Sequence, residues 1–125
     1  MHILDKIVAH KKGEIAKSKE QQSIASLESN TLFDRETNSL AAALRDSNTG
    51  IISEFKRRSP SKPTINLDAK VKAVVPKYTE AGVIGISVLT DNHFFGGSSQ
   101  DIMDARKLVD TPLLRKNLLL MNTRL

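Results

Sequence analysis

The sequence contains no cysteine. Disulfide frameworks and thiolate metal sites are therefore excluded, and the composition suits a reducing cytoplasm. It has no tryptophan, one tyrosine and only 4% aromatic residues, too few for a protein that binds nucleic acid by stacking bases. No stretch approaches the ~20 apolar residues of a membrane span. Met1 to Lys12 alternates short apolar pairs with charges instead of carrying the apolar run of a signal peptide. The three histidines, His2, His10 and His93, are scattered, and none is read as a metal ligand. What remains is a chain of 125 residues, 39% hydrophobic and 26% charged, the make-up of one soluble globular domain. The net charge of +5 fits nucleic acid, an anionic membrane, an anionic small substrate, or solubility alone.

Apolar residues at Ile3, Leu4, Ile7, Val8 and Ile15 mark one face of a helix ending near Lys19. Its lysines read most simply as a solvated face. Gln21 to Asn30 is a polar stretch. Ser39 to Arg45 predicts a short helix stopped by Ser47-Asn48-Thr49-Gly50. Ile51 to Lys56 predicts a strand. Leu67 to Ala81 predicts a helix with Asp68 as cap or first-turn acid and Gly82 as its stop, kinked or broken at Pro76. Val83 to Thr90 is nearly all apolar or small, as in a strand buried on both faces. Ser99 to Val109 predicts a helix, and Pro112 to Lys116 a third strand that Leu118 to Leu120 could prolong. Strands alternating with helices imply a parallel sheet. Right-handed crossovers then gather the loops after the strands on one edge, where α/β proteins bind ligands.

The polar oddities all fall on that edge. Glu54 and Lys56 are two apart and share one face of the first strand. They make either a structural salt bridge or a catalytic pair. Ser59-Pro60-Ser61-Lys62 is a hydroxyl-rich turn able to hold an anion. Phe94-Phe95-Gly96-Gly97 is a loop whose aromatics form a lid or plug a core. Lys116 ends the third strand, as a general acid tuned by desolvation or as a lysine snorkelling from a barrel rim. Arg57, Arg58 and Lys62 form too small a basic cluster to argue for nucleic-acid binding.

Together, Ile51-Ile52-Ser53-Glu54-Phe55-Lys56-Arg57-Arg58-Ser59-Pro60-Ser61-Lys62, Ile86 to Asp91 with Phe94 to Ser98, and Pro112 to Lys116 resemble the first three strands and loops of the indole-3-glycerol phosphate synthase family. The resemblance runs from about Ile3 to Lys116. It implies an α/β fold: a partial TIM (β/α)₈ barrel of about three βα units with an N-terminal helical extension. Residues 1–50 would form the extension, 51–116 the barrel units and 117–125 a divergent tail.

The implied activity is that of a cytoplasmic carboxy-lyase. It closes the indole ring of 1-(2-carboxyphenylamino)-1-deoxyribulose 5-phosphate and releases carbon dioxide and water, with no cofactor or metal. By resemblance Lys116 is the general acid at the closing carbonyl, and Lys56 engages the substrate carboxylate. Glu54 positions these groups and shares in the dehydration. Ser59 contacts substrate near the phosphate, and Phe95 packs on the anthranilate ring. The implied partners are a small phosphorylated substrate and a chain supplying the rest of the barrel, with no nucleic acid and no membrane. The alternative is a non-catalytic half-barrel remnant that binds a phosphate ligand or a partner chain.

Two positions depart from the family pattern: Pro63 stands where glycine is usual, and Asn117-Leu118 where Asp-Phe is expected. A (β/α)₈ barrel takes about 250 residues. The chain alone is therefore expected to lack synthase activity, and to fold poorly or self-associate. The break at Asn117 is expected to be a frameshift. Encoded as AAT TTA CTA TTG ATG AAT ACC AGG TTG, the tail read from its third base gives Phe-Thr-Ile-Asp-Glu-Tyr-Gln-Val, a family-like continuation. The gene sequence beyond the stop codon tests this.

Overall fold

A computed structural model describes residues 2–31 and 34–117. The elements run α1 (Ile3–Gln21), α2 (Ile24–Glu28), α3 (Leu40–Asp46), β1 (Ile52–Phe55), α4 (Val71–Glu80), β2 (Gly85–Leu89), α5 (Ser99–Leu108) and β3 (Leu113–Lys116). The suggested prolongation of β3 through Leu118 to Leu120, and the tail for which a frameshift is expected, lie outside the described residues. The chain divides into two compact units, one holding α1 and α2, the other running Thr37–Asn117.

In the first unit the His2 ring accepts a hydrogen bond from the Leu4 amide at 3.2 Å and starts α1. Lys11 is buried on this helix and donates to Glu14 at 2.6 Å. The polar stretch after Gln21 is not irregular throughout. Ser23 Oγ accepts from the Ser26 amide at 3.1 Å, and this N-cap starts the single turn α2. Three serines in seven residues had masked that short signal.

In the second unit three parallel strands lie in the order β1-β2-β3. Glu54 pairs with Ser87 and Phe55 with Val88, while Ile86 pairs with Leu113 and Leu89 with Lys116. Every residue of β2 is buried, as its apolar run requires. On one face Phe55, Ile86 and Val88 pack with Val71 and Val75 of α4, with Ala105 of α5 and with Val109 just after it. Full burial of a side chain such as Ile86 or Val75 contributes about 1.5–3 kcal/mol. Period two puts Ile52, Glu54, Gly85, Ser87, Leu89, Leu114 and Lys116 on the opposite face. At its lower end Gly85 makes room for α3, since a Cβ there would lie 2.5 Å from Leu40 Cδ1.

Two local expectations are corrected. The helix after the first strand starts at Val71 rather than Leu67, and its N-cap is Lys70, not Asp68. Asn66 Oδ1 accepts from the Asp68 amide, and both Ile65 and Asn66 donate backbone N–H groups to the Arg57 carbonyl. These local bonds hold the segment in a turn, competing with helix as Asn side chains do. Pro76 neither breaks nor ends α4. Its missing N–H costs roughly 3 kcal/mol. Burial of Val71 and Val75 on the sheet offsets that, and Lys72, whose carbonyl loses the bond, is exposed. Gly82, at φ +91°, follows the helix as a stop glycine.

Candidate active site

The strands fix three charged side chains at one end of one face. Glu54 is the penultimate residue of β1, Lys56 follows that strand, and Lys116 closes β3. Lys116 reaches diagonally over the central strand, and its Nζ lies 3.0 Å from Glu54 Oε2. Lys56 Nζ lies 3.4 Å from Oε1. Ser87, beside Glu54 in the register, donates its hydroxyl to Oε2 at 3.2 Å. On α4, Tyr78 donates its hydroxyl to the Glu54 backbone carbonyl at 3.1 Å.

Burial alone would raise the Glu54 pKa. The hydrogen bond and charge of Lys116, then those of Lys56, outweigh it and hold the carboxyl below its ordinary range. The result is an ionised carboxylate between two ammonium groups, with Lys116 half-exposed. Such a cluster can offer cations to an incoming anion and keep a base beside them.

On the helix-covered side of the sheet, the loops at the carboxyl ends of the strands are braced by Arg57. Its guanidinium makes a two-pronged pair with Asp101 of α5, at 2.5 and 3.1 Å, in a site that is nearly closed to solvent. It also donates to the carbonyls of Ala69 and Gly96, both at 2.9 Å, and lies 4.9 Å from the Phe55 ring centre. The Asp101 hydrogen bond raises the arginine pKa further despite its burial. Arg58 donates to the carbonyls of Asn92 and His93 at 2.7 and 3.1 Å. The two arginines thus serve intramolecular bonds between the loops.

Ser59 closes a tight turn with Lys62. Each amide bonds the other's carbonyl, and Ser59 Oγ accepts from the Lys62 amide at 3.1 Å and lies 3.3 Å from Ser61 Oγ. Phe95 is half-buried in the turn after β2. That turn folds hard onto the strand end. The Gly97 amide bonds the Asp91 carbonyl, and a Cβ at Gly97 would meet the Leu89 oxygen at 1.9 Å. The structure therefore brings Glu54, Lys56 and Lys116 into one cluster. It places Ser59 and Phe95 in the loops following β1 and β2, with neither hydrogen-bonded to that cluster.

Sequence reasoning missed Ser87 and the Arg57–Asp101 pair. Ser87 did leave a signal, as the one polar side chain in β2. For Asp101 the signal was Ser98-x-x-Asp101, a helix-start pattern in which Ser98 Oγ accepts from the Asp101 amide at 3.2 Å.

The sequence profile described as Indole-3-glycerol phosphate synthase matches residues 4–125. The chain belongs to the indole-3-glycerol phosphate synthase family. It is 44% identical over 118 residues to the indole-3-glycerol phosphate synthase of Bacteroides thetaiotaomicron, covering 94% of this chain and 45% of that protein. Identity to the synthase of Endomicrobium trichonymphae is 37% over 120 residues, covering 94% and 46%. For a Bacillus cereus synthase it is 41% over 118 residues, covering 94% and 44%. The chain thus spans about half the length of the curated relatives it matches. Its unclosed three-stranded parallel sheet is a partial (β/α)₈ barrel of the indole-3-glycerol phosphate synthase family. Among the described residues, no helix is long and apolar enough to cross a membrane.

Proposed function

We propose that this chain provides the first βα units of an indole-3-glycerol phosphate synthase acting in tryptophan biosynthesis in the cytoplasm. The observation that carries the reading is the Glu54 carboxylate between Lys116 and Lys56 at the carboxyl ends of the strands, in a chain of that family.

In the proposed reaction Lys56 binds the carboxylate of 1-(2-carboxyphenylamino)-1-deoxyribulose 5-phosphate and fixes the aromatic ring near the carbonyl. Lys116 gives a proton to the carbonyl oxygen as the ring carbon attacks it. The carbon–carboxylate bond then breaks, carbon dioxide leaves, and its electron pair returns to the ring. Loss of the new hydroxyl as water completes the indole. Glu54, held ionised between the lysines, orients them and takes up a proton in the dehydration. Ser59 serves the phosphate end and Phe95 the anthranilate ring. Pro63 lacks the N–H that a glycine would offer the phosphate there.

Catalytic groups acting as a unit are not additive, so the 125-residue chain alone is expected to show no turnover. The test supplies the remainder from a relative as a separate chain, alongside the same relative split at the matching point. Indole-3-glycerol phosphate formation by the mixed pair, abolished by Lys116→Ala, is the expected result. Failure of the mixed pair where the split relative succeeds would overturn the reading.

A further inference from the structure

Ser87 lies in the middle of a strand whose other residues are apolar or glycine, and it is 4% exposed. A hydroxyl buried there is costly unless bonded, and valine would suit the strand better. Its side-chain hydrogen bond goes to Glu54 Oε2, the same oxygen that Lys116 meets. Ser87 is also Glu54's cross-strand partner in the register, so the backbone itself sets this contact.

We infer that Ser87 is a positioning residue for Glu54: a fixed neutral donor that holds the carboxylate in place when the lysines turn to an anionic ligand. The inference rests on the reading of Glu54, Lys56 and Lys116 as a substrate site. The charged groups facing Glu54 are Lys56 from its own chain segment and Lys116 from β3. The central strand contributes Ser87, and α4 contributes Tyr78, which bonds the backbone. Both lysines end in flexible stems, and Lys116 is 55% exposed, so an incoming carboxylate or phosphate can draw them away. Ser87 cannot follow. Its side chain is short, its backbone is paired on both sides, and its hydroxyl has one proton to give. With the lysines engaged elsewhere, this donor still bonds the half-buried carboxylate and fixes its rotamer.

The test follows the protonation of Glu54 in the full chain. Carbodiimide converts the protonated carboxyl to an amide, with added glycine ethyl ester or with a neighbouring lysine. Peptide mass spectrometry counts both products across pH, whatever the oligomeric state. Ser87→Ala should move the Glu54 midpoint upward by roughly half a pH unit, because a donor to the charged form is lost. Ser87→Thr should keep the wild-type midpoint, and Ser87→Val should match Ala. Threonine and valine have the same shape, so packing damage is common to both and the hydroxyl alone separates them. If Ala loses the fold, this pair still decides. An unmoved midpoint in the variants lacking a hydroxyl would overturn the inference, as would equal shifts in Thr and Val.

A second arm measures binding of the substrate with its carbonyl reduced to an alcohol, in the reconstituted pair. Binding without any Ser87 effect on Glu54 removes the positioning role and leaves the site reading intact. A Ser87 effect without binding removes the site reading and leaves the Ser87–Glu54 link.

Discussion

Glu54 ties acid stability to the site. Its carboxyl titrates below the ordinary glutamate value of about 4.3 because Lys116 and Lys56 favour the charged form more than burial opposes it. A depressed folded pKa contributes stability that is fully present above the unfolded value and is lost as pH falls through the folded one. Wild type is therefore expected to exceed Glu54→Gln in stability near neutral pH, and the gap should narrow progressively as pH falls below the ordinary glutamate value of about 4.3. The side chain is 31% exposed, so solvent screening limits the gap to about 1 kcal/mol or less. Urea midpoints from pH 3 to 7 measure it, and a gap that widens in acid contradicts the assignment. At this scale the sequence was legible for charges spaced by two on one strand. It did not reveal that Lys116, sixty-two residues later, shares an oxygen with Ser87.

Between elements, the Arg57–Asp101 pair and the Gly97 contact carry the loop geometry. Removing one member of a buried ion pair leaves the other unmatched, at a cost of about 3–5 kcal/mol in closed sites. Asp101→Asn should therefore destabilise strongly, and Arg57→Lys should do so too, since lysine cannot reach Asp101, Ala69 and Gly96 together. A loss under about 1 kcal/mol in urea unfolding would show that the bracing is incidental. Gly97→Ala forces a Cβ into the Leu89 carbonyl and should shift the loop or lower stability. Gly13→Ala, inside α1 with nothing within 4 Å of the added methyl, should raise stability by about 0.5–1 kcal/mol. Helix extents were legible where the apolar spacing is regular, as in Ser99 to Val109. They were not legible at Leu67 to Lys70, where bonds to the Arg57 carbonyl decide the path.

The sheet as a whole is open. Among the described residues, β1 and β3 each pair only with β2. Ile52 and Leu114, on the face away from α4 and α5, are 41% and 46% exposed. Unpaired parallel edges beside a wet apolar face favour association. The isolated chain is thus expected to sediment as oligomers at micromolar concentration. Ile52→Lys together with Leu114→Lys should shift it toward monomer. A monomeric wild type with amides protected through Val83 to Thr90 would refute this.

The sequence by itself determined the order of the three strands and of the helices between them, the burial of Gly85 to Thr90, and the family. Each is written in local period, composition and motif spacing, which need no partner in space. Only the tertiary structure decided that Glu54, Lys56 and Lys116 meet while Ser59 and Phe95 stay in their loops. It also decided that Arg57 braces the loops and that Pro76 stays inside an unbroken helix. These outcomes depend on register across β2 and on packing against the sheet. Both bring together residues far apart in the chain, and a period of two or 3.6 carries no record of them.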